Sequence, residues 1–323
     1  MPDMITHYLF GKDAIEKMNE KNKKIVNLNR KYYDLGCNGP DAFFYYHVLP
    51  YKSKKNKLYI RNMGSYMHNN DINHMFKNMF DYLRDHYSSE LHAYVLGFIM
   101  HYYADRNCHP YIYYFAGLSE VKEIYGYYHK LLEVHIDQML LELFEGKTLK
   151  NFKLHSINAH TDDNLKIFFP MIQDVLEKTY HVHLDFKPYK DAWDEFYLVE
   201  KMAGSSKPYK KRLVEFVEKK TNQLPFFSTA VYAPDYKTFD VLNLKHQTWC
   251  DPCDEKAIYQ DSFIDCYLRG VNQVNEMVEA LDLYLENGDE GFLNLIRNRG
   301  FDTNHAEGIV QKYYSCMFEK GDK

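Results

Sequence analysis

The sequence predicts an all-α fold, a multi-helix bundle. Apolar residues recur at helical spacing along most of the 323 residues, and sustained strand alternation is scarce. The periodic stretches are separated by Gly, Pro, Ser, Asn and Asp, the residues that start and stop helices.

Met4 to Met18 reads as the first helix, with Gly11 its weak point. Asn27 to Leu35 reads as a short helix that stops at Gly36. Cys37-Asn38-Gly39-Pro40-Asp41 has turn chemistry and leads into the aromatic run Phe43-Phe44-Tyr45-Tyr46. Tyr51 to Gly64 reads as a basic linker. Asn70 or Asp71 then caps a helix with Ile72, Met75, Phe76, Met79, Phe80 and Leu83 on one face. Ser88 or Ser89 caps the next, whose apolar face is Leu91, Tyr94, Val95, Phe98, Ile99 and Tyr102. It is expected to end near His109, because Pro110 disfavours helical geometry at the residue before it. Val121 to Phe144 follows and is closed by Gly146.

The later half continues with Asn164 to Tyr180, interrupted by Pro170, and with Asp191 to Met202. Pro208 to Leu224 has proline in its first turn, where it is tolerated. Pro225 to Cys253 reads as irregular, and a long helix runs from about Glu255 to Asn287, ending at Gly288. Two parts are expected: residues 1–150, with all metal chemistry before Asp137, and a helical part, 151–323, packed on it.

The formal charge of -5 argues against a strongly basic nucleic-acid surface, and no stable nucleic-acid partner is expected. The clusters Lys21–Lys24, Lys52–Lys57 and Lys207–Arg212 read as solvated faces and loops. There is neither a basic–apolar leader nor an apolar run near ~18 residues. A cytoplasmic location is expected, with at most peripheral membrane contact and the six cysteines as reduced thiols. Cys250-Asp251-Pro252-Cys253 has zinc or redox spacing but no second pair, and reads as a loop.

Two greasy stretches carry the polar chemistry. His101 and Asp105 are four residues apart, as are His129 and Glu133, so each pair stacks on one helix face. Buried imidazoles and carboxylates are costly without partners, and a bound cation removes that cost. Gly97, one turn before His101, reads as a point of close approach or as ordinary helix packing. Asp137 extends the Glu133 face and reads either as a support for a ligand or as a cap.

With His7, Asp41, His68 and His109 added, the donors number eight, five His and three carboxylates. Nitrogen and oxygen without thiolate suit zinc, and manganese, iron or nickel can use the same set. Eight donors exceed one tetrahedral ion and fit a cluster of two or three. His68 is preferred to His74 for its Gly-Ser approach and the helix start that follows.

Met1-Pro2-Asp3-Met4-Ile5-Thr6-His7, Gly39-Pro40-Asp41-Ala42-Phe43-Phe44, His101-x3-Asp105-x3-His109-Pro110 and His129-x3-Glu133 together resemble the zinc-dependent phospholipase C/D family. Its wider fold group includes the trinuclear zinc phospholipases C and the S1/P1 nucleases. The motifs run from the N-terminus to about Phe144. The resemblance implies a helical bundle of the phospholipase C/P1 nuclease type with zinc at the base of a cleft. It implies His7, Asp41, His68, His101, Asp105, His109, His129 and Glu133 as ligands, with His129 taken over His135 on the HxxxE match. Asp105 would bridge two ions, Asp41, His68 and His101 would complete one site, and His109, His129 and Glu133 would form an exchangeable one. A third ion would also use the N-terminal amine. Removal of Met1 would make that amine Pro2 and place His7 sixth.

The function expected is a zinc-dependent phosphoesterase that hydrolyses a phosphodiester, phospholipase C/D-like, with metal-activated water as the nucleophile. Asp41 is the expected general base, and Phe43, Phe44, Tyr45 and Tyr46 are the expected substrate contacts, two or more of them also reading as core. The alternatives are an S1/P1-like nuclease or nucleotidase, and a non-catalytic metal-stabilised binding protein whose coordination positions are all filled by protein.

Overall fold

The computed structural model describes residues 3–49, 55–117, 122–204 and 239–318, with 52, 212, 215, 216, 218, 220 and 237. The main elements are α1 (Met4–Ile15), α2 (Glu20–Leu28), α3 (Arg30–Gly36), a 3-10 turn (Gly39–Tyr45), α4 (Lys57–Asn69), α5 (Ile72–Asp85), α6 (Ser89–Ala116) and α7 (Lys122–Glu145). They continue with α8 (Asp162–Tyr180), α9 (Phe186–Ala203), β1 (Trp249–Asp251), β2 (Asp254–Tyr259), α10 (Phe263–Asn287) and the single turn α11 (Leu293–Ile296). The fold is all-α, with one two-stranded antiparallel sheet among the described residues.

α6 is the axis of the molecule. Every residue from Leu91 to Ile112 is buried, so the helix has no solvent face, and α3, α10, α1 and α7 pack around it. Ser88 caps its start, accepting from the Leu91 amide at 3.1 Å. α3 crosses α6 at two glycines. A Cβ on Gly97 would lie 2.1 Å from the Tyr33 carbonyl oxygen, and one on Gly36 would lie 2.2 Å from the Tyr94 oxygen. Only hydrogen fits there, so the crossing explains Gly97 as a helix contact. It also lays the turn after α3 directly over His101.

Several expected boundaries are overturned by packing. The stretch expected as a basic linker is mostly α4, in which Ile60, Met63, Gly64, Met67 and His68 are buried at helical spacing. His68 therefore closes a helix instead of preceding one. α2 and α3 replace the single expected helix Asn27–Leu35 and break at Asn29. α6 continues past Pro110 to Ala116. A proline inside a helix costs about 3 kcal/mol. Burial of Tyr111, Ile112 and Phe115 beyond it returns roughly 1.5–3 kcal/mol each, which outweighs that cost. α8 likewise runs through Pro170, where the carbonyl freed one turn earlier belongs to exposed Lys166 and meets water. The helix expected from Glu255 starts at Phe263, behind a reciprocal Ser262–Asp265 capping box. Residues 254–259 instead pair with β1, with Trp249 opposite Tyr259. The expected helix Pro208–Leu224 falls mainly outside the described residues.

One hydrophobic cluster extends from Met4 to Phe301, so residues beyond 150 share the core of those before it. After α11 the chain folds back over the end of α4. The Phe301 amide donates to the His68 carbonyl at 2.8 Å, and Arg106 holds Asn304 and the Leu295 carbonyl. That return brings Phe301 and Asp302 against residues more than a hundred positions earlier.

Candidate metal centre

Asp105 stands in the middle of α6, one turn after His101 and one turn before His109. Its Oδ2 lies 3.2 Å from His101 Nε2 and 3.5 Å from His68 Nε2. Its Oδ1 lies 3.3 Å from His7 Nε2 and 3.9 Å from His109 Nδ1. The two oxygens thus face different sets of imidazoles.

Three groups of donor atoms form around it, each within 4.8 Å internally: His7, His101 and Asp105; Asp41, His68 and His101; His109, His129 and Glu133. In the second group Asp41 Oδ1 is 3.2 Å from His68 Nε2 and 3.6 Å from His101 Nε2. In the third His129 Nε2 is 2.8 Å from Glu133 Oε1. All eight side chains expected at the centre are brought together. Pro2 lies outside the described residues.

The backbone orients the rings. Nδ1–H of His68 donates to the Gly64 carbonyl at 2.7 Å, that of His101 to Cys37 at 3.1 Å and that of His109 to Phe301 at 3.1 Å. Each of these bonds leaves Nε2 with its lone pair available, the arrangement that ligating histidines use. The Gly36–Gly97 crossing sets the Cys37 carbonyl, and Gly39 at φ +39° carries the turn onward without a Cβ, which would lie 2.8 Å from the His101 ring. His7 comes from α1, whose start is fixed by Asp137. That carboxylate accepts from the amides of Ile5 and Thr6, each at 2.9 Å, and from the Thr6 hydroxyl at 2.6 Å. Asp137 is thus a cap, supplied by α7 to another helix.

Chemistry at the centre favours a cation. Both nitrogens of His7, Oδ1 of Asp41, both oxygens of Asp105 and Nε2 of His109 are sealed from solvent without a hydrogen bond. Each such atom costs about 1–3 kcal/mol when left unsatisfied, so six in one place call for a partner of positive charge. Against its burial, Asp105 is held well below the usual carboxylate range by His101 and His109. Burial pushes His109 down to about 4 and lowers His129, keeping both neutral and able to ligate. Burial opposes charge on His68, yet Asp105 and Asp41 raise it to about 10, the pull that a metal ion would feel in place of a proton. The donor set of nitrogen and carboxylate oxygen fits zinc.

A cavity of about 500 Å³ opens beside the third group, with His129, Glu133 and Asp302 lining it. Phe44, Tyr45, Tyr113 and Val199 provide apolar wall, and Lys130 pairs with Asp3 at 2.8 Å. Of the four aromatic residues expected to meet substrate, Phe44 and Tyr45 line this cavity. Phe43 instead packs in the core against Tyr189, and Tyr46 stacks on His47, because residues three apart share a face at three residues per turn and 43 and 46 lie on the buried one.

Other expectations resolve plainly. His74 is exposed and paired with Asp71, which leaves His68 as the residue of the centre. His135 packs near Phe318, away from the three groups. At the hairpin turn, Asp251, Cys253 and His305 form a fourth group, but Asp251 already pairs with His305 at 3.0 Å, and burial followed by Asp251 pushes the Cys253 thiol up to about 11. The surroundings of the centre extend beyond the residues before Asp137. Asp302 Oδ1 stands 3.5 Å from His109 Nδ1, and its Oδ2 accepts from Asn69 at 2.7 Å. Sequence reasoning missed Asp302, since a lone acid in a polar loop carries no periodic or spacing signal.

A family model described as zinc dependent phospholipase C matches residues 6–213. The match takes in all eight donors and extends beyond Phe144, where the recognisable motifs end. No curated protein and no solved structure matches the chain.

Proposed function

The chain belongs to the zinc-dependent phospholipase C family, and from that premise we propose that it hydrolyses a phosphodiester, with a phospholipid as the substrate class. The observation that supports this best is the set of three buried donor groups arranged about Asp105 beside an apolar-walled cavity.

In this reading Asp41, His68 and His101, with Asp105, would hold one zinc ion, His109, His129 and Glu133 a second, and His7 with Asp105 a third. Asp105 would serve two of the ions, and the Pro2 amine would add a ligand to the ion held by His7 once Met1 is removed. Manganese, iron or nickel would use the same donors. Zinc bound there would supply Lewis acidity, lowering the pKa of water toward ~7 and neutralising charge on the phosphate oxygens. Asp41 would accept the proton of the attacking water. Asp302 positions His109 through the 3.5 Å approach to its Nδ1. Phe44 and Tyr45 hold the apolar part of the substrate.

Residues 1–150 carry the proposed ligands, and 151–323 close the cavity and supply Asp302. No helix among the described residues is long and apolar enough to cross a membrane. We take membrane contact to be peripheral. All six cysteines are free, which supports a cytoplasmic, reducing setting.

The test is elemental analysis of the purified protein followed by a phosphoester panel. Two or three zinc ions per chain and zinc-dependent release of a phosphorylated head group are expected. Preference for single-stranded nucleic acid or 3′-nucleotides would replace the lipid with a nuclease substrate. Full metal occupancy with no turnover on any diester would sink the hydrolase.

A further inference from the structure

Arg61 is the charged side chain of the cavity that the chemistry above does not use. It lies on α4, half-buried, and burial lowers its pKa from the ordinary arginine value. No carboxylate among the described residues pairs with it. Its cationic neighbour in the same cavity, Lys130, is neutralised by Asp3 at 2.8 Å. A desolvated guanidinium without a counter-charge is costly, and an anionic ligand relieves that cost.

Its place along α4 says which anion. Lys57, Arg61, Ser65 and Asn69 follow at intervals of four and share one helix face. Asn69 is the inner end, donating to Asp302 beside the metal centre. Arg61 is eight residues further out, about 12 Å along the axis at 1.5 Å per residue. Helical side chains also lean toward the N-terminus, which carries the guanidinium further from the centre. Arg61, Ser65 and Phe44 line both the main cavity and a shallower pocket that Lys57 and Asn62 complete. A scissile phosphate held by the metal ions is too small to reach both ends of this stripe.

We propose that Arg61, with Ser65 beside it, forms a subsite for a second anionic group on the substrate, a phosphate ester or carboxylate about one head-group length from the bond that is cut. The substrate class is thereby narrowed to diesters that carry a second acidic group on one of the two esterified alcohols. This rests on the phosphodiester reading of the metal centre. Arg61 is a specificity residue with no part in the bond cleavage.

Two matched pairs test it on the zinc-loaded protein. One is dihexanoyl phosphatidylinositol with and without a 4-phosphate. The other is thymidine 5′-(p-nitrophenyl phosphate) with and without a 3′-phosphate. Bis(p-nitrophenyl) phosphate, which lacks a second anion, reports the metal centre alone. The wild type should favour the extra phosphate by about 10- to 100-fold in kcat/KM, the range of one charge-assisted pair. The pair that shows the preference identifies lipid or nucleotide as its source. Arg61→Gln should abolish the preference with hydrolysis of the simple diester unchanged, and Arg61→Lys should restore part of it. A wild type without preference, a preference that survives Arg61→Gln, or an equal loss on the simple diester would each overturn the subsite. If the wild type cleaves no diester at all, the phosphodiester reading has failed. The subsite is then decided by calorimetric titration with thymidine 3′,5′-bisphosphate and thymidine 5′-phosphate. Tighter binding of the bisphosphate that Arg61→Gln removes supports it, and equal binding refutes it.

Discussion

Replacing Asp105 by Asn is the most direct perturbation of the centre. The carboxylate lies within 3.5 Å of His7, His68 and His101, which belong to the two donor groups that share His101. It stands apart from His129 and Glu133 in the third. The amide keeps the shape and removes the charge, so the ion held by His109, His129 and Glu133 should stay while one or both of the others are lost. An ion present at about 1,000 times its Kd stabilises a fold by about 4 kcal/mol. Loss of two such ions removes about 8 kcal/mol, which for a chain of this size lowers the zinc-induced rise in melting temperature by roughly 15 °C. The assay is elemental analysis with calorimetric melts, each recorded with zinc and with chelator. The readout is the gain due to zinc, because a simple packing defect lowers both melts alike. Wild-type stoichiometry with an unchanged zinc-induced gain would refute the bridging role and the geometry behind it.

Three other perturbations follow from the packing. Gly97→Ala places a methyl group 2.1 Å from the Tyr33 oxygen, so melting should show a loss of about 3 kcal/mol or more and zinc content should fall as the Cys37 carbonyl moves off His101. Asp302→Asn removes the carboxylate beside His109, and metal titration should show the weakest-bound ion loosened about 10- to 100-fold with the other ions unaffected. Glu200 is buried with only Asn158 donating to it, and burial followed by the nearby Asp3 charge raises its pKa well above the usual range. A folded pKa above the unfolded one means that this group favours the fold below about pH 4.5 and opposes it as pH rises toward the folded value. Glu200→Gln should therefore stabilise the fold at pH 8 by on the order of 1–2 kcal/mol, read as a higher melting temperature, and leave it nearly unchanged at pH 4. Equal effects at both pH values would refute the assignment.

What could be read from the sequence was whatever one helix carries by itself. His101, Asp105 and His109 repeat at four-residue intervals on α6, and His129 and Glu133 do so on α7, so two of the three donor groups were half visible as periodicity. Their convergence with His7, Asp41 and His68 was reached through family motifs, since nothing local brings those residues near. α4 was obscured because lysines and Gly64 resemble a linker, although Ile60, Met63 and Met67 carry helical spacing. The rule that proline ends helices failed at Pro110, where burial on every side overrode it, and at Pro170, where solvent satisfied the freed carbonyl. Asp302 and Arg61 gain meaning only from tertiary neighbours. One sits in a loop and the other in a stretch read as a connection, and neither has a partner within reach along the chain.

The return of the chain over α4 sets an order of events during synthesis. His7 through Glu133 leave the ribosome well before Phe301 and Asp302 do. Until Phe301 and Asp302 arrive, His109 lacks both the carbonyl that fixes its tautomer and the acid beside it. A nascent chain therefore offers an unfinished cup, and the geometry predicts tight metal capture only after position 302 has emerged.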